Sequence, residues 1–130
     1  MSENYYKECE ELRICDELIK KYFDTKQYEK CFEGHLELAL KEYPLAECQV
    51  GYFYWAGLGV KKDLKKAFYW TELSATHGDR DAQFNVAKFY EDGTGVTSDT
   101  ELAAKWYKKA ALQDHDIAIK ICKDLNIIVE

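Results

Sequence analysis

Three histidines, five cysteines and two glycine pairs are the residues of this 130-residue chain from which a metal, redox or phosphate site would be built. Metal binding asks for ligands at short, regular spacing, whereas His35, His77 and His115 stand far apart with no H-x-x-x-H pair. Cys9, Cys15, Cys31, Cys48 and Cys122 are odd in number and contain no C-x-x-C pair. In a reducing compartment they read as small buried hydrophobes or free thiols. Gly57-x-Gly59-Val60 and Gly93-x-Gly95-Val96 invite a phosphate-loop reading, but both lack the Gly-Lys-Ser/Thr tail and lie between two helical segments rather than between strand and helix. They read instead as helix C-caps. No serine, cysteine or carboxylate pair has the spacing of a nucleophile with its base. The sequence predicts no catalytic residue, metal or cofactor.

The glycine pairs belong to a longer period. Ala46, Val50, Phe53, Tyr54, Gly57, Gly59, Val60, Asp63, Ala67, Trp70 and Ala75 recur, at a constant spacing of 36 positions, as Ala82, Val86, Phe89, Tyr90, Gly93, Gly95, Val96, Asp99, Ala103, Trp106 and Ala111. A period of this length is that of a helical solenoid, in which each unit buries its apolar face only against its neighbours. Within one unit Ala46, Val50, Phe53 and Tyr54 fall on one helical face, predicting a first helix over Leu45 to Ala56. The glycines end it, and Asp63 is placed to N-cap a second helix over Leu64 to His77, whose Ala67, Trp70, Ser74 and Ala75 form a core stripe. The next unit repeats this over Arg80 to Asp92 and Glu101 to Gln113, with Trp70 and Trp106 both expected in the core.

Upstream, Ile14, Cys15, Leu18, Cys31 and Ala39 match the period weakly. They predict a degenerate first pair over Glu3 to Phe23 and Lys26 to Glu42, joined at Asp24-Thr25 and stopped before Pro44. Downstream, Ala118 continues the Ala46/Ala82 series and opens a short helix to Leu125, with Ile127, Ile128 and Val129 covering the end of the stack. The expected organisation is one all-α domain over 1–130, divided into a degenerate pair (1–43), two repeats (44–79 and 80–115) and a capping helix with tail (116–130).

A net charge of −6 argues against nucleic acid, which demands clustered Lys and Arg, and fits a soluble protein or one whose partner is basic. Lys61, Lys62, Lys65 and Lys66 read as a solvated loop and first helical turn. No stretch approaches the length of a membrane span, and Met1 to Glu11 is acidic without an apolar core, so the expected location is cytoplasmic.

Residues 46 to 118 resemble the Sel-1-like repeat family, a branch of the tetratricopeptide-like helical repeats. The first copy carries Ala46, Val50-Gly51, Tyr54, Gly57-Leu58-Gly59-Val60, Asp63, Lys66-Ala67, Trp70, Ala75 and Gly78. The second carries Ala82, Val86, Tyr90, Gly93-Thr94-Gly95-Val96, Asp99, Ala103, Trp106-Tyr107 and Ala110-Ala111, with Ala87 and Asp114 in place of two glycines. The resemblance implies a right-handed α-α superhelix that serves as scaffold or adaptor through its concave face, without catalytic residues. Some secreted, cysteine-rich relatives place disulfides at small-residue positions and are associated with β-lactams. Those positions here hold Ala46, Ala75, Ala82 and Ala111, so neither property transfers.

If the first helix of each pair lines the groove, as in tetratricopeptide relatives, the partner-facing residues are Cys48, Tyr52 and Trp55 in one copy and Phe84, Lys88 and Glu91 in the next. Asp16 and Ile19 extend the groove from the first pair. Trp55 has two readings: an exposed anchor, since its counterpart is Glu91, or a core residue packed beneath the first pair where Gly34 replaces the tryptophan. The expected function is a non-enzymatic interaction module, monomeric, that binds a protein or peptide. A narrower version is an immunity protein neutralising one toxin or effector. The competing class is an enzyme with a site assembled from Tyr52, Lys88, Asp16 or Glu91.

Overall fold

The computed structural model describes residues 10–129, which form seven α-helices and no strand. They are α1 (Glu10–Leu18), α2 (Tyr28–Ala39), α3 (Pro44–Ala56), α4 (Leu64–Thr76), α5 (Arg80–Asp92), α6 (Thr100–Leu112) and α7 (Asp116–Asp124). Each packs chiefly on the helix before and the helix after, giving a right-handed α-α superhelix of antiparallel pairs. None of the described helices is long and apolar enough to cross a membrane.

The recurring residues explain the recurring elements. Gly57 closes α3 at φ 69° with its N–H on Phe53 O, and Gly93 closes α5 at φ 71° with its N–H on Phe89 O. Asp63 and Asp99 then start α4 and α6 by accepting the N–H groups of Lys66 and Leu102, each at 3.0 Å. The second glycine of each loop has a different task. A β-carbon at Gly59 would strike the backbone of Tyr28 and Glu29, and one at Gly95 would strike Leu64 O. Each loop therefore rests, backbone on backbone, on the first turn of the second helix of the preceding pair.

The core between the pairs is built largely of small residues. Ala46, Val50, Phe53, Ala67, Ala75, Ala82, Val86, Ala103 and Ala111 are all buried, and their size lets the helices approach closely. Trp70 and Trp106 correct the sequence reading, for they are only half-buried and pack against the edge of this core. Their outer sides are covered locally, Trp70 by Tyr69 in an edge contact at 5.5 Å and Trp106 by Lys109, whose Nζ lies 4.9 Å over the ring. At Gly34 the missing tryptophan is replaced by a neighbour, since a β-carbon there would fall 2.7 Å from Leu18 Cδ2.

The first pair departs from its expected bounds. Of the span Glu3 to Phe23, the part before Glu10 lies outside the described residues, and α1 runs into a π-helical segment, Ile19–Phe23. Lys26 at φ 62° delays α2 to Tyr28, and Glu42 at φ 63° follows its end at Ala39. Both residues do without glycine what the glycines do elsewhere. At the other end α7 begins at Asp116, ahead of Ala118, because His115 Nδ1 accepts the Ala118 N–H at 3.2 Å and caps it. Of the three tail residues expected to cover the stack, Ile127 packs on the terminal core, while Ile128 is 71% and Val129 37% exposed.

Candidate functional site

The last turns of α3 read Tyr52-Phe53-Tyr54-Trp55, and helical geometry sends them to opposite sides. Phe53 enters the core, whereas Tyr52 and Trp55, three positions apart on one face, stay 41% and 47% exposed. Their rings lie 6.2 Å apart at 32°. Trp55 is thus an outward-facing side chain and not a filler beneath the first pair. Across from it, α5 presents Phe84, Asn85, Lys88, Phe89 and Asp92, successive members of the face at i, i+1, i+4, i+5 and i+8. Gly51, Thr71 and Thr94 complete an open cleft of about 320 Å³. Gly51 makes its floor possible, for a β-carbon there would collide with Thr71 Oγ1 of α4.

Each wall is held from behind. Phe84 stacks on His115, centroids 4.5 Å apart and planes 14° apart, and leans on Tyr107 at 5.7 Å. Lys88 Nζ lies 3.7 Å from Glu91 Oε1, and the same oxygen accepts the Tyr107 hydroxyl at 2.6 Å. Burial, with Glu91 next in importance, pushes the Tyr107 phenol far above its ordinary range, so it stays a donor to that carboxylate.

A second cleft shares Tyr52 and Asn85 with the first and adds Leu45, Cys48, Gln49, Asp79 and Asp81. Burial, then the neighbouring Asp79 and Asp81, raises the Cys48 thiol well above the usual thiol range. Cys48 is in its protonated, weakly nucleophilic form. Asp79 caps α5 by accepting the Ala82 N–H at 2.9 Å, and Asp81 lies 3.4 Å from His115 Nε2.

The structure brings Tyr52, Trp55, Phe84 and Lys88 into one cleft, with Cys48 in its neighbour. Glu91 stands behind Lys88 as its counter-ion and lines neither cleft. Asp16, exposed on α1, and Ile19, half-buried where the helix widens into its π segment, also line neither. An enzyme site joining Asp16 to Tyr52 and Lys88 has no common cavity here. Sequence reasoning missed Thr71, Asn85, Phe89, Asp92 and Thr94. Asn85 and Asp92 were within reach of the periodicity, because they flank Lys88 at helical spacing on the same face.

The Sel1 repeat model matches residues 44–79 and 80–115. Protein sel-1 homolog 2 of Homo sapiens is 35% identical over 84 residues, covering 64% of this chain and 12% of that protein. Chitin synthase regulator SKT5 of Saccharomyces cerevisiae is 37% identical over 89 residues, covering 65% of this chain and again 12% of its counterpart. The chain therefore spans only a small part of these relatives. A Sel1 repeat protein from Oxalobacter formigenes has the same architecture at a TM-score of 0.75 and 35% identity, with 83% of this chain and 84% of that one covered. The Sel1 repeat is a non-catalytic helical scaffold, and proteins built from it are in general protein-interaction adaptors. With two matched units over more than half its length, this chain belongs to the Sel1 repeat family.

Proposed function

We propose that this chain is a non-enzymatic interaction module that holds a segment of a protein or peptide partner in the cleft between α3 and α5. The observation that carries the reading is the placement of Tyr52 and Trp55, two large aromatic side chains left 41% and 47% exposed at the mouth of an otherwise ordered cleft. Exposed aromatics beside a concavity are the usual anchors of protein interfaces, since they bury much area while few rotatable bonds are frozen. Nothing in the solenoid needs them there, because the counterparts of Tyr52 and Trp55 one period on are Lys88 and Glu91. The four described cysteines are free thiols, in keeping with a reducing, cytoplasmic setting.

The test is affinity purification of the tagged chain from lysate of its source cell beside a Tyr52→Ala/Trp55→Ala variant. Both side chains are exposed, so the variant retains the fold, whereas Phe84, stacked on His115, is a poor choice for truncation. The expected result is one stoichiometric partner captured by the wild type and lost by the variant. Equal capture by both would place the interface on another surface, and capture of no protein by either would overturn the interaction reading.

A further inference from the structure

We infer that the cleft takes an arginine side chain of its partner, stacked on Trp55 and Tyr52 and ion-paired with Asp92. The inference rests on the reading of this cleft as a peptide-binding surface and asks what chemistry the surface selects.

The charges that face the cleft decide the sign. Lys88 is the single cation among its lining residues, and its ammonium is already matched by Glu91 at 3.7 Å. Glu91 is in turn fixed by the Tyr107 hydroxyl, so this pair contributes no net charge to an incoming group. Asp92, exposed at the end of α5, has no ion pair among the described residues. The adjoining cleft is lined by Asp79 and Asp81, both already engaged, Asp79 with the Ala82 N–H and Asp81 with His115, so the charge argument rests on Asp92. The field in the cleft is therefore negative, and the whole chain reinforces it with a net charge of −6. A cationic side chain is the complement.

The rings decide which cation. Indole and phenol faces attract a positive charge, tryptophan most strongly, and Tyr52 and Trp55 offer two such faces inclined at 32°. A guanidinium is planar, sheds water more readily than an ammonium, and can lie on a ring while its N–H groups point outward in the ring plane. Asp92 and the Asn85 side chain supply oxygen acceptors along the same cleft. A lysine would keep the charge attraction and lose the stacked, multidentate fit. The cleft volume of about 320 Å³ falls at the small end of ligand pockets, suited to one long side chain with its flanking backbone.

The experiment selects a random dodecapeptide display library on the immobilised full chain, then titrates synthetic versions of the enriched peptides by calorimetry. Arginine should dominate one position of the enriched set. Replacing it with norleucine should weaken binding about ten-fold or more, and replacing it with lysine should weaken it less. Asp92→Asn should weaken the arginine peptide by a similar factor and leave the norleucine peptide unchanged, a difference that general damage to the cleft would not produce. Trp55→Leu, which keeps apolar bulk and removes the ring, should likewise penalise the arginine peptide most. Enrichment without arginine, or equal loss for both peptides on Asp92→Asn, overturns this inference and leaves the peptide-binding reading intact. Failure to enrich any peptide overturns both.

Discussion

Glu47 of α3, wholly shielded from solvent, accepts a hydrogen bond at 2.7 Å from Nδ1 of His77, the residue that ends α4. One repeat later the same two places hold Gln83 and Gln113, joined Nε2 to Oε1 at 2.9 Å. The solenoid thus ties the start of each first helix to the end of its second through a partly buried polar contact, once with an acid and an imidazole and once with two amides. The acid–imidazole version carries a cost that the amide version avoids, because Glu47 Oε2 finds no hydrogen-bond partner among the described residues.

That difference sets a pH dependence. Burial raises the Glu47 carboxyl above its ordinary 4.5, with His77 pulling it back and Glu42 adding to the rise. A raised carboxyl holds its proton better in the folded than in the unfolded chain. Its contribution to stability is full below the unfolded value and is lost as pH climbs through the folded one. Glu47→Gln, which copies Gln83, removes that loss. Urea denaturation at about pH 4 and about pH 7 should find the variant gaining on the wild type as pH rises. A gap that narrows would mean that the His77 contact outweighs burial.

Phe53 and Trp55 are neighbours on α3 with opposite fates, one 1% and the other 47% exposed. Phe53→Ala should cost about 3–5 kcal/mol through the cavity it leaves. Trp55→Ala should cost about 1 kcal/mol or less, since half its surface already meets water. Thermal or chemical denaturation of the two variants distinguishes them, and a comparable loss in both would return Trp55 to the core.

Much of the fold was legible because it is written twice. Two copies of one pattern give the bounds of α5 residue for residue and those of α3 to within one, since glycine and aspartate mark the helix ends by their own chemistry. The first pair was less legible for the converse reason. Its left-handed turns fall on Lys26 and Glu42, residue types that do not announce such a backbone, and its π segment has no compositional mark. The positions 42, 78 and 114 all have positive φ, yet only Gly78 advertises it. The same limit governs the site. Tyr52, Trp55, Phe84 and Lys88 could be placed from repeat register, whereas extending that register to Asp16 and Ile19 relied on a pair whose helix geometry differs. The Glu47–His77 contact had a signal in the sequence: a polar residue on the core face of both first helices, each with a polar partner 30 positions on.

The two glycines of a loop share a backbone conformation, φ 71° at Gly93 and 69° at Gly95, but not a neighbourhood. A β-carbon at Gly93 would come no nearer than 3.4 Å to any neighbour, at Ser98 Cβ, an ordinary contact, while one at Gly95 would strike Leu64 O. Gly93→Ala should therefore cost about 1 kcal/mol, the strain of a left-handed alanine. Gly95→Ala adds a backbone collision and should cost about 3 kcal/mol or more. Equal losses would show that conformation alone explains both glycines.

Burial raises the thiols of Cys31, Cys48 and Cys122 above their ordinary range. Thiolate is the reactive form, so iodoacetamide at neutral pH should label Cys48 far more slowly in the folded chain than in urea. Peptide mapping by mass spectrometry gives the rates. Rapid labelling of folded Cys48 would contradict the protected environment described for it.

The contact of each glycine loop with the preceding pair has an evolutionary corollary. The spacing between successive units is gauged by main-chain atoms at Gly59 and Gly95, whereas the partner would be read by side chains at Tyr52, Trp55, Lys88 and Asp92. On the proposed reading of the cleft, framework and specificity are encoded by separate sets of residues. A lineage can exchange the second set, and so acquire a new partner, without renegotiating the first.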